Sequence, residues 1–434
     1  VRTCVARWVV LSSAAMTATD IHRTIDAVWR MEASRLIAGL ARIVRDVGVA
    51  EELAQDALVT ALEQWPTTGV PNNPGAWLMT TAKHRAIDQM RRRALHRRKE
   101  DELTREIEDQ LEQSVGDPDA MLDNPVGDDL LSLIFTACHP VLSTEARVAL
   151  TLRMLGGLTT VEIARAFLVP EPTVAQRIVR AKRTLSDAQV PFEVPRGDEL
   201  GVRLASVLEV VYLIFNEGYA ATSGGDWMRP QLCDEAMRLG RVLAGLAPAE
   251  AEVHGLVALM EIQASRTAAR QGPNGEPILL NDQNRARWDQ LLIRRGLASL
   301  QRAEALGGAT RPYTVQAAIA ACHARALTPE DTDWPRIAAL YDALARIMPS
   351  PVVALNRAVA HAQAFGPDVG LSLVDALRDE PLLRQYHLLP SVRGDLLRRL
   401  GRHGEARKEF ERAASLARNL RERELLLQRA ANLP

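Results

Sequence analysis

LTTVEIARAFLVPEPTVAQRIVRAKRTL, residues 158–185, reads as two helices around a tight turn. Thr159-Thr160-Val161-Glu162 supplies a helix start, Ile163, Ala164 and Phe167 an apolar face, and Val169-Pro170 a break. A second helix follows, with Val174, Ile178, Ala181 and Leu185 at helical spacing. These are the dimensions of a helix-turn-helix. In that motif the second helix enters the major groove with its first residues on base edges. Here those positions carry Glu171, Thr173, Gln176 and Arg177, followed by Arg180, Lys182 and Arg183. Gln and Arg can read adenine and guanine edges, and further cations hold phosphates. A helical hairpin with a solvated basic face is the plainer alternative.

Working outward, Ser143-Thr144-Glu145 is an N-cap leading into Val148, Leu150, Leu152 and Leu155, and Gly156-Gly157 stops that helix. Residues 126–187 thus form one small helical domain. Residues 97–125 are a charged linker without a rich apolar face. Residues 20–96 read as several helices. One stripe is Ile25, Val28, Trp29, Leu36, Ile37 and Leu40; another is Leu53, Ala57, Leu58 and Leu62, ended by Pro66. Thr67–Pro74 is a loop, and a new helix runs from Gly75 into a run of arginines. This last helix joins Trp77 to Lys83, Arg91, Arg92 and Arg93, the aromatic-plus-basic chemistry that stacks single-stranded bases while neutralising phosphates. The competing reading makes Trp77 a core residue and leaves the arginines merely solvated.

Length and composition bound these readings. A chain of 434 residues implies two to four domains. With 47% hydrophobic, 25% charged and only 4% aromatic residues, and no strict alternation of Val, Ile and Thr, nearly the whole chain reads as α. The net charge of −1 conceals a basic stretch at 83–99 followed by an acidic one at 100–129, and a local basic stripe is what nucleic acid requires. Cys4, Cys138, Cys233 and Cys322 lie far apart without a C-x-x-C, which fits a reducing cytosol; Cys138-His139 lacks further ligands, so no metal and no cofactor is expected. Val1–Ala15 faintly imitates a signal peptide, but the favoured reading is a start set too early, with Met16 the initiator and 1–19 disordered. No apolar run suffices for a membrane span, so a cytoplasmic protein is expected. No Ser/His/Asp set, phosphate loop or H-E-x-x-H is visible, and an enzyme is not expected.

Past a second linker at 188–197, with Pro191 and Pro195, the chain is helix after helix. Leu396–Arg402, then Glu405, Ala406, Phe410 and Ala413, resembles a tetratricopeptide helix pair, with Gly394 adding to the small-residue spacing. Residues 352–365 with 368–377, and 315–326 with 334–347, look like further pairs, and 416–430 like a polar-faced cap. The expected divisions are therefore a helical extension over 198–300 and a tetratricopeptide-like solenoid over 301–434. Asn216-Glu217 and the run Asn281–Arg285 are either part of a ligand or partner pocket, or buried hydrogen-bonded groups locking helix ends.

Taken in order, the acidic helix Glu51-Glu52-Leu53-Ala54-Gln55-Asp56, the loop and helix over 67–93, and the helix-turn-helix resemble the RNA polymerase sigma factors of the extracytoplasmic-function (ECF) group. The resemblance covers about residues 20–187, and the whole chain resembles the subgroup with a C-terminal repeat extension. It implies an all-α protein with two small sigma-type domains, 20–96 and 126–187, ahead of the helical repeats. It implies that Glu51, Glu52, Gln55 and Asp56 contact core RNA polymerase. It further implies that Asn72, Asn73, Trp77, Lys83, His84, Asp88, Arg91 and Arg92 capture the melted −10 element, and that Glu171, Thr173, Gln176, Arg177, Arg180 and Arg183 read the −35 element. His84 departs from the pattern, which has Asn there. The partners implied are core polymerase and promoter DNA; because the C-terminal domain is tethered, a contact between it and residues 20–187 is also expected, with Asn216-Glu217, nearest the linker, part of it. A helix-turn-helix regulator that works without polymerase is the alternative, and it would leave the 51–56 and 77–93 helices without a purpose.

Overall fold

Asp46 opens the second helix of the chain by accepting hydrogen bonds from the amides of Gly48 and Val49, at 2.8 and 3.0 Å. In the computed structural model, which describes residues 18–97, 126–167, 169–220, 228–273 and 275–433, helices make up nearly all regular structure. The one β feature among the described residues is an isolated bridge between Gln271 and Pro277. The architecture is all-α, with sigma-like helices first and a helical-repeat region after them. Of the start expected to be disordered over 1–19, residues 18 and 19 are already helical in the first helix, and the rest, with most of the 97–125 linker, lies outside the described residues.

The chain divides into two compact units. The first comprises 1–137, 152–158 and 182–194. Its helices are α1 (Ala18–Val44), α2 (Val47–Thr68), α3 (Pro74–Arg97) and α4 (Val126–Ala137). Helix α1 packs against α2, α3 and α4, and α2 against α3. Ile25, Val28, Leu36, Ile37 and Leu40 are buried, whereas Trp29 of the same stripe is half-buried. Pro66 does not end α2. A proline inside a helix gives up its own N–H bond and crowds the carbonyl four residues back, yet the helix continues to Thr68 and closes where the Gly69 amide donates to the Trp65 carbonyl at 3.0 Å, with Gly69 at φ 83°. Fully buried Trp65 anchors this last turn.

The second unit comprises 138–151, 159–181 and 195–434. It contains most of α5 (Thr144–Met154), all of α6 (Thr160–Phe167) and most of α7 (Glu171–Asp187). The helices that follow are α8 (Asp198–Tyr219), α9 (Pro230–Leu246), α10 (Ala251–Ala264), α11 (Gln290–Ala305), α12 (Pro312–Arg325) and α13 (Trp334–Ile347). The last five are α14 (Pro351–Phe365), α15 (Pro367–Asp375), α16 (Leu388–Arg399), α17 (His403–Leu416) and α18 (Leu420–Ala431). From α8 onward each helix packs on its successor, and α10 also packs on α12. The last pairs share a core of Leu355, Leu371, Leu396, Leu397 and Phe410. Gly394 is what lets α16 and α17 approach, because a Cβ there would sit 3.0 Å from the Phe410 ring. The expected cap at 416–430 is interrupted. Ala417 is extended, and α18 starts afresh at Asn419, whose side chain accepts from the Arg421 and Glu422 amides.

Candidate functional site

On α2 the four carboxylate and amide groups expected on one surface part company. Glu52 and Asp56 are exposed and Gln55 is half-buried, but Glu51 is 2% exposed. The cause is helical phase. Glu51 stands four residues after Val47 and three before Ala54, both buried, and so falls on the inner stripe. A buried carboxylate needs partners. Arg153 Nε lies 2.7 Å from it, the Lys182 ammonium pairs with its second oxygen, and the Gln55 amide donates at 2.5 Å. All these residues belong to the first unit. Neither Arg153 nor Lys182 was among the expected polymerase contacts. The signal that could have found them is the charge on an apolar stripe, together with an arginine inside the apolar run Leu150–Leu155.

On α3, Asn73 accepts from the Ala76 amide at 3.1 Å and so serves as the cap of this helix, while Asn72 is exposed. Trp77 is half-buried, its ring meeting Trp65 edge-on at 5.4 Å between centroids, so part of it is core. Trp77, His84, Asp88 and Arg91 share one helix face spanning about 21 Å, and the last three are exposed. Burial, and then the charge of Arg42, push the Lys83 ammonium below its usual pKa. Arg92 lies in the helix, and its side chain is outside the described residues. Arg85, not singled out by sequence, ties α3 to α2 through Asp56 at 3.2 Å and the Thr60 hydroxyl at 2.7 Å.

The helix-turn-helix is capped at its entry. The Thr159 amide donates to Glu162 Oε2 at 2.8 Å, and the Glu162 amide to the Thr159 hydroxyl at 3.2 Å, a reciprocal box. In α7, Val174, Ile178, Ala181 and Leu185 are buried. Thr173, Gln176, Arg180 and Arg183 run along the opposite, exposed face, with Glu171 exposed in the first turn and Arg177 half-buried at the margin. Such a face can offer an amide and guanidinium groups to base edges and phosphates. Lys182 is turned away from it, toward Glu51.

Within the second unit, α8 is joined to α5 and to the residue after α4. Arg147 donates to the Ser206 hydroxyl at 2.5 Å and pairs with Glu209 at 3.1 Å, and Ser206 donates to the Cys138 carbonyl at 2.6 Å. Asn216-Glu217, expected to make such a contact, lies in the last turn of α8, where buried Glu217 pairs with Arg229. The 281–285 run likewise locks helix ends. Arg285 donates to the carbonyls of His323 and Ala326 at 2.8 and 2.6 Å, and Asn284 caps the next turn. A cavity of about 1060 Å³ opens in this unit, lined among others by Tyr212, Asn216, Gln316, His323 and Tyr341. Cys138 is buried with its sulfur 3.3 Å from the Thr151 hydroxyl, and burial pushes the thiol up to about 11. No three His, Cys, Asp or Glu side chains among the described residues are grouped to hold a metal, and no helix there is long and apolar enough to cross a membrane.

Family models match three stretches of the chain. Residues 29–96 match sigma-70 region 2, residues 132–185 match sigma-70 region 4, and residues 203–304 match a family of unknown function, DUF6596. An uncharacterized protein of Rhizobium meliloti, R00370, is 43% identical over 387 residues, covering 89% of this chain and 90% of that protein. Two shorter relatives align with part of the chain. The probable ECF RNA polymerase sigma factor SigI of Mycobacterium tuberculosis is 24% identical over 40% of this chain and 58% of its own length. The ECF RNA polymerase sigma factor SigK of Mycobacterium ulcerans is 28% identical over 35% of this chain and 78% of its own length.

Proposed function

Since the chain belongs to one family with the Rhizobium meliloti protein and carries an ECF-type sigma-factor core of regions 2 and 4, we propose that it binds core RNA polymerase, directs it to specific promoters and initiates transcription there. A sigma-factor core is a regulatory module, not a catalytic one. The observation that carries the reading is the α7 face of Thr173, Gln176, Arg180 and Arg183, exposed opposite a buried stripe and placed behind a capped first helix. With Glu171 and Arg177 it reads the −35 element. Glu52, Gln55 and Asp56 dock on a basic surface of the polymerase. Trp77, His84, Asp88 and Arg91, flanked by Asn72, Asn73, Lys83 and Arg92, hold the melted −10 strand.

The C-terminal helices are, in this reading, a tetratricopeptide-like solenoid that regulates the sigma domains. Two observations support this: the chain of successive helix packings, and the hydrogen bonds from Arg147 and Ser206 that tie α8 to the region-4 match. Run-off transcription from a promoter library, with full-length protein and core polymerase, tests the whole reading. Initiation above that of core polymerase alone is expected, with Gln176→Ala selecting a different −35 sequence. Binding to duplex DNA without any stimulation of polymerase would favour a helix-turn-helix regulator instead.

A further inference from the structure

We infer that Glu51, Arg153 and Lys182 form a latch that withholds Glu51, the inward carboxylate of α2, from polymerase in the free protein, and that a basic polymerase surface opens it by taking the place of the two cations. The inference rests on the reading of α2 as the polymerase-binding helix.

The charge pattern is the first argument. Along one turn of α2, Glu52 and Asp56 stand in water while Glu51 is buried, although all three are acidic. Its partners come from more than a hundred residues further along the chain, the last turn of α5 and the second half of α7. An apolar side chain at position 51 would fill an inner stripe without any desolvation cost, and buried ion pairs are poor devices for stability. A carboxylate with exchangeable cationic partners is suited instead to switching between two sets of cations.

The second argument is the seam around it. Asp46 caps α2 with one carboxylate oxygen and accepts from the Ser186 hydroxyl with the other, at 3.2 Å. Beside these polar contacts lies a cavity of about 800 Å³, lined by Arg42, Asp46, Lys182, Leu185, Gln189 and Phe192. These polar contacts, Glu51 with Arg153 and Lys182 and Asp46 with Ser186, border open space, where partners can exchange more readily than in a close-packed interior. Opening also releases Lys182, which lies between the exposed Arg180 and Arg183 in sequence on the DNA-reading helix. Polymerase docking and phosphate binding are then linked, because each favours the open form.

A disulfide across the seam tests this directly. A Cβ placed on Gly48 would lie 3.7 Å from the Lys182 Cβ, within the Cβ–Cβ range of about 3.5–4.5 Å that a disulfide spans. The full-length Gly48→Cys/Lys182→Cys protein is oxidised, and binding to core polymerase is measured without DNA, beside wild type treated identically. The expected result is a rapid crosslink in the free protein and affinity at least tenfold lower when oxidised, restored by dithiothreitol. Arg153→Met, which removes one cation without a crosslink, is expected to bind core polymerase several-fold more tightly than wild type. Failure of the crosslink to form, or its formation with unchanged affinity, overturns the latch. If neither the reduced variant nor wild type binds polymerase, the sigma-factor reading falls, while the crosslink still reports whether the seam is closed.

Discussion

Asp56 and Arg85 face each other where α2 packs on α3, carboxylate oxygen to guanidinium nitrogen 3.2 Å apart. Arg85 reaches the Thr60 hydroxyl as well, so one arginine aligns the proposed polymerase helix with the proposed promoter helix. Both partners remain substantially exposed, which holds the pair itself to at most about 1 kcal/mol. Its value is orientation.

Charge reversal separates docking from folding at this place. Glu52→Arg and Asp56→Arg are each expected to weaken core-polymerase binding about tenfold, or about 1.4 kcal/mol. Only Asp56→Arg also loses the Arg85 pair, and so only it is expected to lower thermal stability slightly. Titration with labelled protein, alongside circular dichroism, checks both; unchanged affinity in two folded variants removes α2 from the docking surface.

Along α7 the expected outcomes differ by position. Gln176→Ala, on the exposed face, changes the preferred −35 sequence, and Arg177→Ala at the margin does so less. Arg183→Ala weakens binding to all sequences alike and lowers the salt dependence by about one counterion. Selection from randomised −35 sites, repeated at several salt concentrations, distinguishes the three. Uniform loss in every variant would mean that the face holds phosphates only.

Ser206→Ala removes the donor that satisfies the Cys138 carbonyl and the acceptor for Arg147. A buried polar group left without its partner costs about 1–3 kcal/mol. The urea midpoint of the full-length protein should fall accordingly, while Ser206→Thr, which keeps the hydroxyl, should fall less. An unchanged midpoint in Ser206→Ala would show that the joint contributes nothing to stability.

In the last repeat pair, Gly394→Val drives a branched side chain into the Phe410 ring, whose carbons already lie 3.0 Å from a bare Cβ. Overpacking of this kind costs about 1–3 kcal/mol. Hydrogen exchange should show the amides of α16 and α17 opening sooner, with α1–α3 unaffected. Equal protection in both proteins would mean that the two helices can shift apart freely.

His323 gives a pH signature. Burial, followed by the charges of Arg266 and Arg285, lowers its imidazole to about 4. The folded state therefore prefers the neutral ring, and the unfolded chain binds the proton first. Stability is full above the unfolded value near 6.5, declines as pH falls from there to about 4, and loses up to about 3 kcal/mol over that window from this group. Comparing denaturation midpoints at pH 7 and pH 4.5 for wild type and His323→Gln checks the sign. The variant should show the smaller drop.

Much of this was readable from residues alone, for reasons that are local. Val174, Ile178, Ala181 and Leu185 repeat at helical spacing, and the spacing by itself names the buried side of α7. The pairing of α14 with α15 follows from apolar periodicity broken at Gly366-Pro367. Glu51 was not readable in the same way. Helical phase alone puts it on the inner stripe of an otherwise solvated-looking acidic helix, but the cations that make its burial tolerable, Arg153 and Lys182, lie more than a hundred positions away. Asn73 shows a different ambiguity. A polar residue before a helix reads equally well as a base contact or as a cap, and the 3.1 Å bond to Ala76 makes it a cap. Pro66 was overread as a stop, because a proline near a helix end forfeits little.

The bond from Ser206 to the Cys138 carbonyl bears on what a premature stop codon would do to this gene. A reading frame ending at Pro195, in the proline-flanked stretch between the two sigma-type domains and the extension, would still encode both helices proposed to read the promoter. It would also strip Arg147, whose side chain is 11% exposed, of Ser206 and Glu209 and leave it only the Thr144 hydroxyl beside it. The shortened product would be a damaged module, not a minimal one, and any loss of activity it showed would mimic the loss of an activator. Grafting the helix-turn-helix onto another scaffold therefore calls for carrying α8 along as far as Glu209, so that the inherited unit ends where its hydrogen bonds do.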